Sequence, residues 1–181
     1  NKNLVNLLQG VGGRAIGLSG IDGHMIQAKK LDESLGFVGE ITSINTDPIV
    51  DILDKGYIPV VSTVGCDDEG NVYNINADTA AARIAASLGA ESLITMTDIS
   101  GILRDKDDPS TLVEQVEADN IEEMRQKVAE LMGHCEGASR AGANGAKAKL
   151  AFALRAVEHG TNVMIGHAQC RLDDLLSGRV P

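Results

Sequence analysis

Tryptophan is absent from the chain of 181 residues, which holds only two Tyr and two Phe. Basic residues are in deficit as well: 16 Lys and Arg stand against 26 Asp and Glu, for a net charge of −10. A nucleic-acid surface draws on clustered cations and stacking rings, so these two shortages argue against a nucleic-acid partner. A nucleotide stays open, because one or two lysines and backbone amides suffice for a phosphate tail. The three cysteines, Cys66, Cys135 and Cys170, are far apart and form no CxxC pair, so neither a disulfide framework nor a zinc site is suggested, and a reducing compartment is expected. No apolar run reaches the length of a membrane span, and no signal-peptide pattern opens the chain. A soluble, cytoplasmic protein without a membrane partner is expected. His24, His134, His159 and His167 show neither HxH nor HExxH spacing, and GxSxG is missing.

What is present is an alternation of short β-rich runs with segments of helical period. The runs are RAIGLS (14–19), EITSI (40–44), IPVVSTV (58–64), ESLITMT (91–97) and NVMIG (162–166). Such alternation predicts an α/β sandwich with a mostly parallel sheet, and the continuous apolar character of PVVSTV and NVMIG suits buried strands. Asp22-Gly23 within SGIDGHMIQAKK (19–30) signals a hairpin turn and a flap at the sheet edge. Asp47-Pro48 reads as cap and first residue of a helix ended by Gly56. CDDEGN (66–71) reads as a turn between strands, and a second long helical pattern covers Asn120 to His134. GVGGRAIG (10–17) has the glycines of a dinucleotide fingerprint in the wrong setting, since they follow a helical segment and open a strand. It is read as a helix-to-strand turn.

Three places carry candidate chemistry. Asn74, Asn76 and Asp78 precede an alanine-rich helical run that ends at Gly89. One of Asn76, Asp78 and Thr79 can cap that helix, which leaves polar groups to spare at a helix N-terminus, where anions are held. Lys147 and Lys149 follow a Gly/Ala-rich loop and open another helix. Cations are opposed there by the helix dipole unless an anion sits among them, so at least one is a phosphate candidate. Thr97 and Asp98 end an apolar strand and are followed by Gly101, at the carboxyl end of a strand, where open parallel sheets bind ligands.

The blocks NKNLVNLL, GGRAIGLSGIDG, LGFVGEITSIN, GYIPVVSTVG, YNINADTAAARIAASLGA and LITMTDISGIL, in this order, resemble the amino-acid kinase family, and within it the branch that acts on N-acetyl-L-glutamate. The resemblance implies a three-layer αβα sandwich of the carbamate kinase-like kind, present here in part. Residues 1–89 would be the remnant of an acyl-amino-acid-binding lobe and residues 90–181 a nucleotide-binding lobe. It implies transfer of the γ-phosphoryl group of ATP, with Mg2+, to the side-chain carboxylate of N-acetyl-L-glutamate in arginine biosynthesis, by a homo-oligomer. By resemblance Asp78 and Lys149 are catalytic, Asn74 and Asn76 contact the acid, and Thr97, Asp98, Gly101 and Lys147 contact the nucleotide. Lys149 stands eleven residues before Gly160, the family's spacing for its helix-borne lysine. The SGIDGHMI segment would be a lid. Asn144, Gly145 and Ala146 stand where the family has Gly-Gly-Met. The family's first glycine-rich strand-turn with its lysine has no counterpart in the chain, so residues 1–181 alone are expected to show no kinase activity. A kinase for an aminoadipate-type acid and a non-catalytic nucleotide- or amino-acid-binding module are the competing readings, with a dehydrogenase of the Rossmann type behind both.

Overall fold

A computed structural model describes residues 1–98, 101–105, 108–134 and 145–177. The chain divides into two compact units, Asn1–Leu88 and Gly89–Pro181.

The first unit begins with helix α1 (Lys2–Gly10), which packs on strand β1 (Ala15–Ser19). Asn1 ties the two together: its side-chain amide donates to the carbonyls of Leu18 and Val60, at 2.7 and 2.6 Å. Then follow β2 (Ile26–Lys30), β3 (Gly39–Ile44), helix α2 (Asp47–Asp54), β4 (Ile58–Ser62), β5 (Val64–Cys66), β6 (Val72–Asn74) and helix α3 (Ala77–Leu88). β1 and β4 form a parallel pair in which Ala15 lies opposite Ile58 and Ser19 opposite Ser62. The other four strands form a mixed sheet in the order β3-β2-β5-β6. Ile26, Ala28, Ile41, Tyr73 and Ile75 make its core, and Ala80 of α3 reaches the same cluster. The alanines at 80, 82 and 85 are buried, and their small side chains let the helix lie close to β3.

Three local expectations are corrected. IPVVSTV is two strands, not one: β4 ends at Ser62 and β5 starts at Val64 in a different sheet, so the chain changes sheets at Thr63. SGIDGHMIQAKK is not a hairpin, since β1 pairs with β4 while β2 pairs antiparallel with β3. The Asp22-Gly23 turn is instead a corner between sheets. Gly23 and His24 both adopt positive φ there, +58° and +53°, and the Asp22 carboxylate accepts from the Ser19 N–H at 2.7 Å. The N-cap of α2 is Thr46 rather than Asp47, and the Asn45 side chain accepts the Asp47 N–H at 3.1 Å.

The CDDEGN turn joins β5 to β6 as expected and is organised by one carboxylate. Asp67 accepts from the Asn71 side chain at 2.8 Å, from the Tyr73 hydroxyl at 2.7 Å, and from the backbone N–H groups of Asn71 and Glu69. These bonds, the Asn71 side chain first, hold its carboxyl down at about 2, against an ordinary value of 3.8. A depressed carboxylate stabilises the fold fully above its unfolded value, and the benefit is lost as pH falls through the folded one. Asp67→Asn should therefore melt lower than wild type at neutral pH, and the gap should close between about pH 4 and pH 2. Circular-dichroism melts across that range check it; a gap independent of pH would show that the amide disturbs the turn by its shape alone.

In the second unit, β7 (Ser92–Thr97) leads through helices α4 (Ile121–His134) and α5 (Ala146–Val157) to β8 (Asn162–His167), followed by the short helix α6 (Leu172–Leu176). β7 and β8 are parallel, from Ser92 opposite Asn162 to Thr97 opposite His167. Parallel neighbours need a crossover connection, and the helices supply it. Ile102, Val128, Leu131 and Leu150 form the core of this unit. No described helix is long and apolar enough to cross a membrane.

Candidate functional site

In the first unit the polar cluster before α3 resolves into separate parts. Asn76 is the cap: its side-chain oxygen accepts the Thr79 N–H at 3.0 Å, and its carbonyl accepts the Ala80 N–H at 2.9 Å. Asn76→Ala should accordingly cost about 1 kcal/mol of stability, read from urea unfolding; an unchanged midpoint would mean that the helix start is held by other groups. Asp78 lies inside the first turn of α3, two residues past the capping Asn76. Asn74 ends β6, is exposed, and lies opposite Val64. Its backbone is pinned by donation to the Phe37 carbonyl at 2.8 Å, so its side chain is presented from a fixed strand. The three residues are thus brought together at the junction of β6 and α3, with Asn74 on the strand, Asn76 at the cap and Asp78 on the helix.

In the second unit Thr97 and Asp98 lie at the carboxyl end of β7. Thr97 is buried, and its hydroxyl donates to the Asp98 carboxylate at 3.2 Å. The Thr97 carbonyl accepts the Ala168 N–H at 2.7 Å, which fastens the ends of β7 and β8 side by side. Gly101 has φ +144°, a conformation that only glycine adopts without strain, and a Cβ there would meet Leu112 at 2.7 Å. Residues 135–144, which include Asn144 and most of the Gly/Ala-rich loop, lie outside the described residues. Lys147 and Lys149 are in the first turns of α5, whose N-cap is Gly145. No acidic residue occupies that first turn and no side chain caps it, so the positive end of the dipole and two cations of the same helix coincide. α5 runs into β8 and packs on it, which sets its N-terminus toward the end of the strands where Thr97 and Asp98 lie.

An open groove of about 1840 Å3 runs along α4, α5, β8 and α6. It is lined largely by the apolar side chains of this unit's own core, and of the predicted site residues only Gly101 borders it. Cys66 is no candidate nucleophile: burial, followed by the charges of Asp67 and Asp68, pushes its thiol up, away from the reactive thiolate. Among the described residues no group of three or more His, Cys, Asp or Glu could hold a metal ion.

Two residues of local importance were missed at the level of sequence. Asp67 was legible only as part of a turn, because its four bonds depend on the pairing of β5 with β6. His24 falls within the expected flap and lid and has no metal-ligand spacing, and no sequence signal announces its positive φ.

Parallel strands joined through helices, with a buried threonine at one strand end and two lysines at the start of the crossover helix, define an α/β framework. The chain belongs to the amino acid kinase family, whose model matches residues 1–167. It has the α/β fold of that family in part. It is 54% identical over 126 residues to the acetylglutamate kinase of Brachyspira hyodysenteriae, covering 68% of the chain and 44% of that relative. It is 53% identical over 129 residues to the acetylglutamate kinase of Thermosynechococcus vestitus, with 71% and 43% covered. The chain thus spans less than half the length of these relatives. Among solved structures, the smu.665 protein of Streptococcus mutans matches 91% of the chain and 62% of its own length, with a TM-score of 0.70 and 29% identity.

Proposed function

We propose that the whole protein transfers the γ-phosphoryl group of ATP to the side-chain carboxylate of N-acetyl-L-glutamate, a step of arginine biosynthesis. The observation that carries this reading is the identity of about half of all positions with acetylglutamate kinases over some two thirds of the chain. Residues 1–89 are then the acid-binding side and residues 90–181 the nucleotide side. In the reaction a carboxylate oxygen attacks the γ-phosphorus in line, the bond to the β,γ-bridging oxygen breaks, and ADP leaves, with no covalent enzyme intermediate. Catalysis of this kind is positioning and charge neutralisation. Asn74 and Asn76 orient the acid. Lys149 meets charge on the transferring group, Lys147 meets the phosphates, and Asp78 is a catalytic carboxylate. Thr97, Asp98 and Gly101 border the nucleoside. A Mg2+ ion would arrive on the nucleotide's phosphates, as this ion commonly does, and would add neutralisation there; the described residues form no protein cage for it. Cytoplasmic location and homo-oligomeric assembly complete the reading.

The test is ADP release by the purified intact protein with ATP, Mg2+ and, in separate runs, N-acetyl-L-glutamate, free glutamate and the N-acetylated aminoadipate homologue. Turnover should favour N-acetyl-L-glutamate. Preference for the longer acid would replace the substrate, and absence of turnover with binding of ATP or acid by calorimetry would make the protein a binding module. Light scattering on the same preparation reads the assembly.

A further inference from the structure

We propose that His24 is a further contact for the acid substrate, donating from Nε2 to one of its carboxylates; this rests on the reading of Asn74 as an acid contact. The register of the mixed sheet places the groups. Val64 lies opposite Asn74, Cys66 opposite Val72, and Gln27 opposite Cys66. Side chains alternate along a strand, so Gln27, Cys66 and Asn74 share one face, while Ile26 and Tyr73 fill the core on the other. His24 stands over the first of these faces: its Nδ1 is 2.9 Å from the Gln27 amide nitrogen and 3.8 Å from the Cys66 sulfur. The amide can only donate, so Nδ1 accepts, and the neutral ring carries its proton on Nε2. Diagonal neighbours across paired strands are roughly 7–8 Å apart, a span of the order of an acylated five-carbon diacid, which separates the position under the ring from Asn74.

The backbone gives the second argument. His24 is the only described residue other than glycine with positive φ. Glycine or asparagine would serve this corner at lower strain. The ring is exposed, so the core does not use it. Two carboxylates of adjoining segments are engaged elsewhere: Asp22 accepts from the Ser19 N–H, and Asp67 accepts from Asn71 and Tyr73. What the imidazole adds at this strained position is a donor on the face that carries Asn74.

His24→Gly and His24→Asn in the intact protein test this, through steady-state kinetics and thermal melts. His24→Gly should raise KM for N-acetyl-L-glutamate about tenfold, the worth of one hydrogen bond to a charged group, with kcat and KM for ATP within about twofold. Its Tm should hold or rise by a few degrees, because strain is relieved. His24→Asn, which keeps an amide donor and tolerates the backbone, should recover part of the KM. A rise in Tm with unchanged KM would make His24 a turn residue only and overturn the proposal, as would a fall in Tm or an equal change in KM for ATP. Lack of turnover in the wild type would overturn the acid-kinase reading together with this one, an outcome distinct from an active wild type indifferent to His24.

Discussion

Asp78→Asn in the intact protein is expected to lower kcat by about a hundredfold, near 2.7 kcal/mol in the barrier, while Tm changes little. The structural role that an acidic residue at this place could have had belongs to Asn76, whose side chain accepts the Thr79 N–H. In the first turn of α3 its negative charge is favourably placed, worth about 0.3–1 kcal/mol. An amide of the same size keeps the volume and forfeits the charge. In the proposed reaction the carboxylate belongs to the catalytic set, where its charge helps to organise the transfer, and a neutral amide cannot supply that charge. Kinetics and melting are thus expected to separate. Turnover within about threefold of wild type, some 0.65 kcal/mol, would reduce Asp78 to a dipole partner. A large drop in Tm would show instead that the helix start depends on it.

The strand set was legible because apolar, β-rich runs bounded by glycine and polar residues carry their own signal. β1, β3, β7 and β8 fall within a residue or so of RAIGLS, EITSI, ESLITMT and NVMIG. Pairing was not legible, because it is decided by residues distant in sequence. Asp22-Gly23 looks the same whether the strands around it pair with each other or part, and here β1 goes to β4 and β2 to β3 and β5. For the same reason IPVVSTV hid the change of sheets at Thr63. The polar cluster before α3 was visible as a surplus of side chains, but the choice of Asn76 as cap turns on a helix boundary shifted by one residue, which local pattern does not fix. The position of Thr97 and Asp98 at the carboxyl end of β7 was legible because an apolar run ends there. The roles of Asp67 and His24 needed coordinates, since both act through contacts made only when β2, β5 and β6 lie side by side.

Lys149→Ala is expected to cost kcat about a hundredfold or more, of the order of losing one preorganised charge-stabilising donor, and Lys147→Ala less than about tenfold. The helix itself distinguishes the two positions. At 100° per residue Lys149 shares the flank of α5 occupied by Ala153 and the fully buried Ala156, and it is half-buried, whereas Lys147 lies on another flank and is exposed. Lys149 is the more buried of the two and stands at the family's spacing from Gly160, so it is the better candidate for the reacting group. Stability should move far less than activity. Alanine is the stronger helix former, and either substitution removes a positive charge from the positive end of the dipole, which offsets the loss of each lysine's own interactions, so both variants should melt within a few degrees of wild type. Single-turnover measurements with saturating ATP and acid, paired with thermal melts, check both halves. Equal losses, or the larger loss at Lys147, would move the phosphoryl group to the other flank of α5 and break the correspondence between Lys149 and the family's spacing from Gly160. A larger fall in Tm at Lys149 would mean that its side chain holds the helix in place, and the loss of activity would then report the fold rather than the chemistry.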